Sequence, residues 1–231
     1  MRSIRQLSTE LTFRCNAKCP ACHRQKPLSI NLNDAKYTIT LEQFKQLFNP
    51  ELLQDLQWLM FNGNFGDSIM NKQFREILAY VKSQGTKIKI HTNGGIHKHD
   101  YWVDVGNILT KDDIINFDLD GLWDTHHIYR INTKFENVFE NAKSVISTNR
   151  PQVHWKYIVF EHNKHQVEEA RQLQKMWALP LFQRLKLLVT CLPLRQETLF
   201  ILKKLKFTKK PKDKYTVSGK IGENGTFLLK V

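Results

Sequence analysis

The chain has 231 residues, 41% of them hydrophobic, and a net charge of +13 at neutral pH. This length fits one α/β domain, because barrels of alternating strands and helices run to about 250 residues as one unit. No apolar run approaches the roughly 20 residues that a membrane-spanning helix needs, so the sequence predicts no membrane partner. Three of the four cysteines are clustered, which excludes a small disulfide framework and fits a reducing cytosol. We therefore expect a cytoplasmic protein.

The positive charge is concentrated towards the carboxyl terminus. Residues 184–214 contain ten lysines and arginines and two acidic residues, an excess of eight positive charges. A clustered basic segment is the electrostatic footprint of a protein that binds nucleic acid. A charged run is also typical of a solvated tail, and both interpretations stay open.

Hydrophobic periodicity predicts strands and helices in alternation. Residues 7–13 alternate apolar and polar side chains, as a strand with one buried face does. Thr40 and Gln43 form a capping-box pattern at the start of the first helix, which Asn49-Pro50 ends. Further strands are predicted at residues 57–61, 87–91, 114–119, 153–160 and 185–189, and helices at 71–84, 100–109, 133–148 and 163–177.

This alternation predicts the fold class. Repeated strand–helix–strand units form a parallel sheet through right-handed crossovers. Five or six such units make an α/β fold of the incomplete (βα)6-type TIM barrel, with parallel strands, rather than a closed eight-stranded barrel. We assign residues 1–190 to the partial barrel and residues 191–231 to a basic C-terminal extension of unknown role.

The loop after the first strand carries Cys15, Cys19 and Cys22 at the spacing C-x3-C-x2-C. Thiolates are soft ligands that favour zinc, copper(I) and iron–sulfur clusters. A [4Fe–4S] cluster takes one cysteine per iron, so three cysteines leave one iron open to another ligand. A structural zinc held by these cysteines and His23 is the main alternative. A haem attachment site would need export, and a thioredoxin-type redox pair would leave Cys15 unexplained.

Other distinctive loops follow the ends of the next strands. Residues 63–67 follow the second strand, Asn93 the third and Asp120 the fourth. Because ligands of parallel α/β folds bind at the carboxyl ends of the strands, these loops predict a single site. Glycines in residues 63–67 would let the backbone approach a ligand closely and adopt positive φ.

Polar side chains alternate along the fourth strand. Asn116, Asp118 and Asp120 are spaced by two residues and therefore point to one side of the strand, into the barrel. Three buried polar side chains are costly unless hydrogen-bonded. They either bind a polar ligand, such as ribose hydroxyls, or form a local hydrogen-bond network.

Several motifs in this order resemble the radical S-adenosylmethionine (SAM) superfamily. After the cysteine loop come FNGNFGD at 61–67, TNG at 92–94, DLDGL at 118–122 and TH at 125–126, and the resemblance covers about residues 7–180. The loop style is similar to that of the SPASM-type group. Since Cys191 is the only other cysteine, this chain lacks the cysteine-rich extension of that group.

The resemblance implies a set of cofactors and their ligands. Cys15, Cys19 and Cys22 would hold a [4Fe–4S] cluster, and SAM would bind to its open iron. An electron donor such as a flavodoxin or ferredoxin would reduce the cluster. SAM would then be cleaved to a 5′-deoxyadenosyl radical that abstracts hydrogen from an unknown substrate, either a peptide, a protein or a small molecule. The implied SAM contacts are Gly63, Asn64, Gly66, Asp67, Asn93, Asp118, Asp120 and Asn163.

Two departures from the family pattern concern the SAM contacts. Asp67 stands where the family has a glutamate, and Asp118 stands where it often has a serine.

Two other functions stay open beside the single-cluster radical SAM enzyme. One is a radical SAM enzyme that modifies nucleic acid with the help of the basic tail. The other is a non-catalytic protein that binds an iron–sulfur cluster or zinc.

Overall fold

The computed structural model describes residues 5–25, 38–177, 185–191, 218–221 and 227–230. Its centre is a six-stranded parallel sheet in which the spatial order of the strands follows the chain order. The strands are β1 (Gln6–Thr9), β2 (Trp58–Phe61), β3 (Lys87–Thr92), β4 (Ile114–Asp118), β5 (Gln152–Val159) and β6 (Leu185–Cys191). The predicted incomplete (βα)6 barrel is confirmed.

Helices connect consecutive strands and pack against the sheet. They are α1 (Leu41–Leu47), α2 (Pro50–Asp55), α3 (Phe74–Ser83), α4 (His99–Ile108), α5 (His126–Tyr129), α6 (Phe135–Ser147) and α7 (Val167–Trp177). Successive side chains of a strand point to opposite faces of the sheet, and the helices cover the face that carries the apolar side chains. Ile88 and Ile90 of β3 and Phe117 of β4 are fully buried in the core, beside helix residues such as Phe74 and Val138.

The start of α1 follows its local sequence. The Thr40 hydroxyl accepts from the Gln43 N–H, and the Gln43 side chain accepts from the Thr40 N–H, which completes the predicted capping box. Asn49 then caps α2, whose first residue is Pro50. The chain therefore turns at Asn49-Pro50 and begins a second short helix before β2.

Strand β1 is shorter than the predicted residues 7–13 and ends at Thr9. Beyond it, Leu11 and Thr12 are buried but pair with the segment before α1: Ile39 N–H donates to Leu11 O, and Thr12 bridges Thr38. The turn after β2 packs closely beside Thr12.

Most of the predicted basic segment 184–214 lies outside the described residues. Within the predicted extension 191–231, Cys191 ends β6, and the other described residues form an antiparallel pair of β7 (Ser218–Ile221) and β8 (Phe227–Lys230). The division at residue 190 stays a prediction. In the described residues, none of the helices combines the length and apolarity required to cross a bilayer.

Candidate functional site

A cleft of about 400 Å³ lies at the carboxyl ends of the strands. Nine of the eleven residues predicted to hold the cluster or SAM line it, which confirms that the loops converge there as inferred from the strand order. They are Cys15, Cys19, Cys22, Gly63, Asn64, Gly66, Asp67, Asn93 and Asp118. Asp120 and Asn163 do not line it.

The cysteine loop is held from both of its sides. Backbone bonds join Cys22 N–H to Cys19 O and Lys18 N–H to Ile131 O. Beneath the loop, Cys19 packs in a small buried cluster with Tyr129 and Phe160, whose ring centroids are 4.3 Å apart. The loop therefore rests on the segments that follow β4 and β5.

All three loop cysteines are free thiols. Burial raises the pKa of the Cys15 thiol to about 12, and burial also raises the pKa of Cys19. Metal binding at this loop must therefore release protons, since the metal takes thiolates.

The geometry of the donors bears on which metal group fits. Within the described ranges, no three Cys, His, Asp or Glu side chains converge on one point as a single ion requires. A [4Fe–4S] cluster takes one cysteine per iron, so its ligands need not converge on one point. Three thiols around one cleft therefore fit a cluster of this kind.

The turn after β2 is packed tightly against the chain that leads into the cysteine loop. A Cβ at Gly66 would lie 1.9 Å from Thr12 O, and the Asp67 N–H donates to Arg14 O at 2.8 Å. At Gly66 two protein loops therefore approach each other closely. Neither Gly63 nor Gly66 has positive φ, so that part of the expectation is wrong.

Glu10 fixes the exposed part of the same turn. Its carboxylate accepts from the N–H groups of Asn64 and Phe65, at 3.1 and 2.9 Å. Two backbone donors on one carboxylate hold the turn against the end of β1. No sequence motif singles out Glu10, because its contact with Asn64 spans 54 residues.

Asp67 and Asn93 join the ends of β2 and β3 to the cysteine loop. Asp67 Oδ2 accepts from Thr92 Oγ1, Asn93 N and Asn93 Nδ2 at 2.7–3.0 Å. Asn93 Nδ2 also lies 3.0 Å from Asn16 Oδ1 and 3.5 Å from Cys15 Sγ. Burial raises the pKa of Asp67 to about 6, while these hydrogen bonds oppose the shift. The predicted contact of Asp67 with SAM stays a prediction.

Arg130 is a site residue that the sequence analysis missed. Its Nε lies 2.6 Å from Asp120 Oδ2, its Nη2 3.3 Å from Asp118 Oδ2 and its Nη1 3.7 Å from Cys19 Sγ. Asp120 is fully buried and also accepts from the Ile158 N–H at 2.6 Å. Asp118, whose side chain is 18% exposed, lines the cleft and lies 3.6 Å from Lys156 Nζ. Both aspartates therefore pair with Arg130, but only Asp118 lines the cleft.

Asn163 closes the loop after β5. Its Oδ1 accepts from Phe160 N and its Nδ2 donates to Ile158 O, and the residue is fully buried. These bonds use both ends of the amide within the protein, so the predicted contact of Asn163 with SAM would require a rearrangement of this loop.

In sequence, the chain is distantly similar to a known protein. No protein-family model matches the chain. The chain is 24% identical over 178 residues to the tungsten-containing aldehyde ferredoxin oxidoreductase cofactor-modifying protein of Pyrococcus furiosus, a match that covers 74% of this chain and 48% of that protein.

Two solved structures have the same arrangement of strands and helices. SuiB of Streptococcus suis, bound to SAM, superposes with a TM-score of 0.61 at 13% identity over 90% of this chain and 44% of SuiB. The protein anSMEcpe, also with bound SAM, superposes with a TM-score of 0.56 at 14% identity over 80% of this chain and 51% of its own. The chain spans about half the length of these proteins.

The fold and the cleft define a partial-barrel α/β protein whose cysteine loop follows the first strand. This is also the fold of SuiB and anSMEcpe, both solved with bound SAM, and at the level of the fold it agrees with the resemblance to the radical SAM superfamily.

Proposed function

We propose that this protein is a radical SAM enzyme that carries one [4Fe–4S] cluster on Cys15, Cys19 and Cys22. The observation that supports this most strongly is the convergence of these free thiols with the loops after β2, β3 and β4 on one cleft. When bound, the cluster supplies the electron that cleaves SAM to methionine and a 5′-deoxyadenosyl radical, which takes a hydrogen atom from the substrate.

The residues around the cleft position the reactants. The tight contact of Gly66 with Thr12 and the bonds of Asp67 to Asn93 fix the cysteine loop against β2 and β3. Asp118, which faces the cleft, is available to the ribose hydroxyls of SAM. Arg130 places a positive charge beside Cys19, which offsets the negative charge that three thiolates bring.

The substrate class is a finer part of the proposal. SuiB has been solved with the precursor peptide SuiA and anSMEcpe with the Cp18Cys peptide, whereas the curated relative is named as a cofactor-modifying protein. Both a peptide and a small molecule therefore have support. A flavodoxin or ferredoxin is the proposed electron donor.

The test is anaerobic reconstitution of the chain with iron and sulfide, followed by SAM and dithionite. We expect about four irons per chain and formation of 5′-deoxyadenosine, measured by mass spectrometry. Tight zinc without iron uptake would instead establish the structural-metal alternative. Iron uptake without SAM cleavage would indicate a non-catalytic iron–sulfur protein.

Replacing any one of Cys15, Cys19 or Cys22 by Ala is expected to abolish the reconstituted cluster, because each cysteine ligates its own iron. Iron content and the visible absorption of the cluster measure this. Cys191→Ala is the matched control and should keep its iron, since Cys191 ends β6 on a different segment. Loss of iron in the Cys191 variant, with retention in a loop variant, would refute the ligand assignment.

Asp118→Ala is expected to weaken SAM binding by about 1.5–3 kcal/mol, as for loss of a charged hydrogen-bond partner, with iron content unchanged. Calorimetric titration of the reconstituted protein with SAM measures the affinity. Asp104→Ala, an exposed aspartate of α4 that pairs with Arg75, is the control. Equal SAM affinity in the Asp118 variant and the wild type would remove Asp118 from the binding site.

A further inference from the structure

The concave face of the sheet carries a row of basic side chains beneath the cleft. His91 pairs in register with Asn116, Asn116 with His154, and His154 with Lys186, so one row crosses β3 to β6. Register partners in a parallel sheet point to the same face. Lys89 precedes His91 by two residues and therefore lies on this face as well.

Lys156, two residues after His154, connects this row to the cleft. Both Lys156 and His91 line the cleft. We call Lys89, His91, His154, Lys156 and Lys186 the basic row. Neighbouring strands are about 4.8 Å apart, so the row extends over roughly 15 Å from the cleft across the sheet.

The carboxylates of the described residues balance the charges of the basic row only in part. Asp118 is the carboxylate nearest to Lys156, at 3.6 Å, and it is shared with Arg130 at 3.3 Å. Among the described residues, half-buried Lys89 has no carboxylate within ion-pair distance, and the charge that acts on it is the repulsion of Lys156. Keeping unpaired cations on a half-buried face is costly unless an anion joins them.

The buried ring of His154 is a second, independent observation on this face. It is 9% exposed; its Nδ1 contacts Asn116 Oδ1 at 3.3 Å, while its Nε2 has no partner among the described residues. Burial, with the nearby charges of Lys186 and Lys89, lowers the pKa of His154 to about 4. Burial and Lys156 lower the pKa of His91 to about 4 in the same way. Both rings are therefore neutral hydrogen-bonding groups beside charged lysines.

We propose that the basic row binds an oxyanion group, a phosphate or a carboxylate, of the substrate whose hydrogen is abstracted in the cleft. The inference rests on the proposed function, because it names a chemical feature of the substrate of the same site. Lys89 and Lys156 provide the charge, and the His154 Nε2 position meets the group by a hydrogen bond. The anion lies on the sheet, below the loops that hold the cluster and SAM.

The test is calorimetric titration of the reconstituted full chain with inorganic phosphate and, separately, with glutarate, at constant ionic strength in chloride and in saturating SAM. We expect saturable binding of at least one of these two anions. Lys89→Met and Lys156→Met should each weaken it about tenfold or more, as for loss of a charged hydrogen bond. Lys89→Arg should retain binding, and Lys45→Met, which alters an exposed pair on α1, should bind as the wild type does.

The outcomes separate the sources of the anion. Binding of phosphate alone, glutarate alone or both supports the proposal and identifies the group. Absence of saturable binding, or wild-type affinity in both Lys89→Met and Lys156→Met, overturns it. Binding that occurs without SAM but is lost in saturating SAM also overturns it, because the row would then serve the SAM carboxylate. Formation of 5′-deoxyadenosine by the same preparation shows separately whether the proposed function holds.

Discussion

Arg130→Met is expected to lower the free energy of unfolding by about 3–5 kcal/mol, the range for removing one partner of a buried ion pair. The side chain of Arg130 is only 12% exposed and Asp120 is fully buried, so the substitution leaves a carboxylate without its counter-charge in the interior. Asp118, on the rim of the cleft, loses a partner as well. Methionine fills a similar volume, so the loss reports mainly on charge.

Urea denaturation followed by circular dichroism measures this effect. Arg75→Met is the matched control, because Arg75 and Asp104 form an ion pair whose side chains are 42% and 54% exposed. Exposed ion pairs contribute about 0–1 kcal/mol, so the free energy of unfolding of the control should be close to that of the wild type. Adding Asp120→Asn to Arg130→Met should recover part of the loss, since the buried charge is then removed. A loss below about 1 kcal/mol in Arg130→Met would contradict the buried-pair assignment.

Gly66→Ala is expected to abolish cluster binding and to lower stability by about 3 kcal/mol, the upper end of the usual range for overpacking. The added Cβ would lie 1.9 Å from the Thr12 carbonyl oxygen, a distance that only separation of the two backbones can relieve. This separation breaks the hydrogen bond from the Asp67 N–H to Arg14 O and displaces Arg14, the residue that precedes Cys15.

Iron content after reconstitution and the urea midpoint measure the two parts of this prediction. Gly85→Ala is the control: an added Cβ there meets nothing within 4 Å, although φ is +83°. Gly85→Ala should lower the free energy of unfolding by about 1–2 kcal/mol, because alanine is strained in the left-handed conformation, and should leave the iron content unchanged. Wild-type iron content in Gly66→Ala would show that the two loops adjust without moving the cysteines.

The parts of the fold that depend on local sequence were predictable. The capping box of Thr40 and Gln43 requires only residues three apart, and it forms as expected. The strand order of the parallel sheet followed from the repeat of strand–helix units, and the convergence of the loops followed from that order. Nine of the eleven proposed ligands lie in the cleft for this reason.

What the sequence did not reveal depends on contacts between distant segments. The apolar alternation of the predicted first strand continues to residue 13, but β1 ends at Thr9, and Leu11 and Thr12 pair instead with the distant segment before α1. The alternation of Asn116, Asp118 and Asp120 could not show that Asp120 is fully buried beneath Arg130. No periodic pattern marks Arg130. Its partners are Asp118, Asp120 and Cys19, and Cys19 lies 111 residues away in the sequence.

The position of β1 at the edge of the sheet has a consequence for local opening. Among the described strands, four-residue β1 pairs with β2 alone, whereas β4 is paired on both sides. A short strand at the margin of a sheet opens at a lower free energy than the central strands, and its amide hydrogens exchange with solvent sooner. We therefore expect the amide hydrogens of β1 to exchange before those of β4. The cysteine loop differs from β1 in this respect, because bonds to Ile131, Asp67 and Asn93 hold it against the segments that follow β2, β3 and β4.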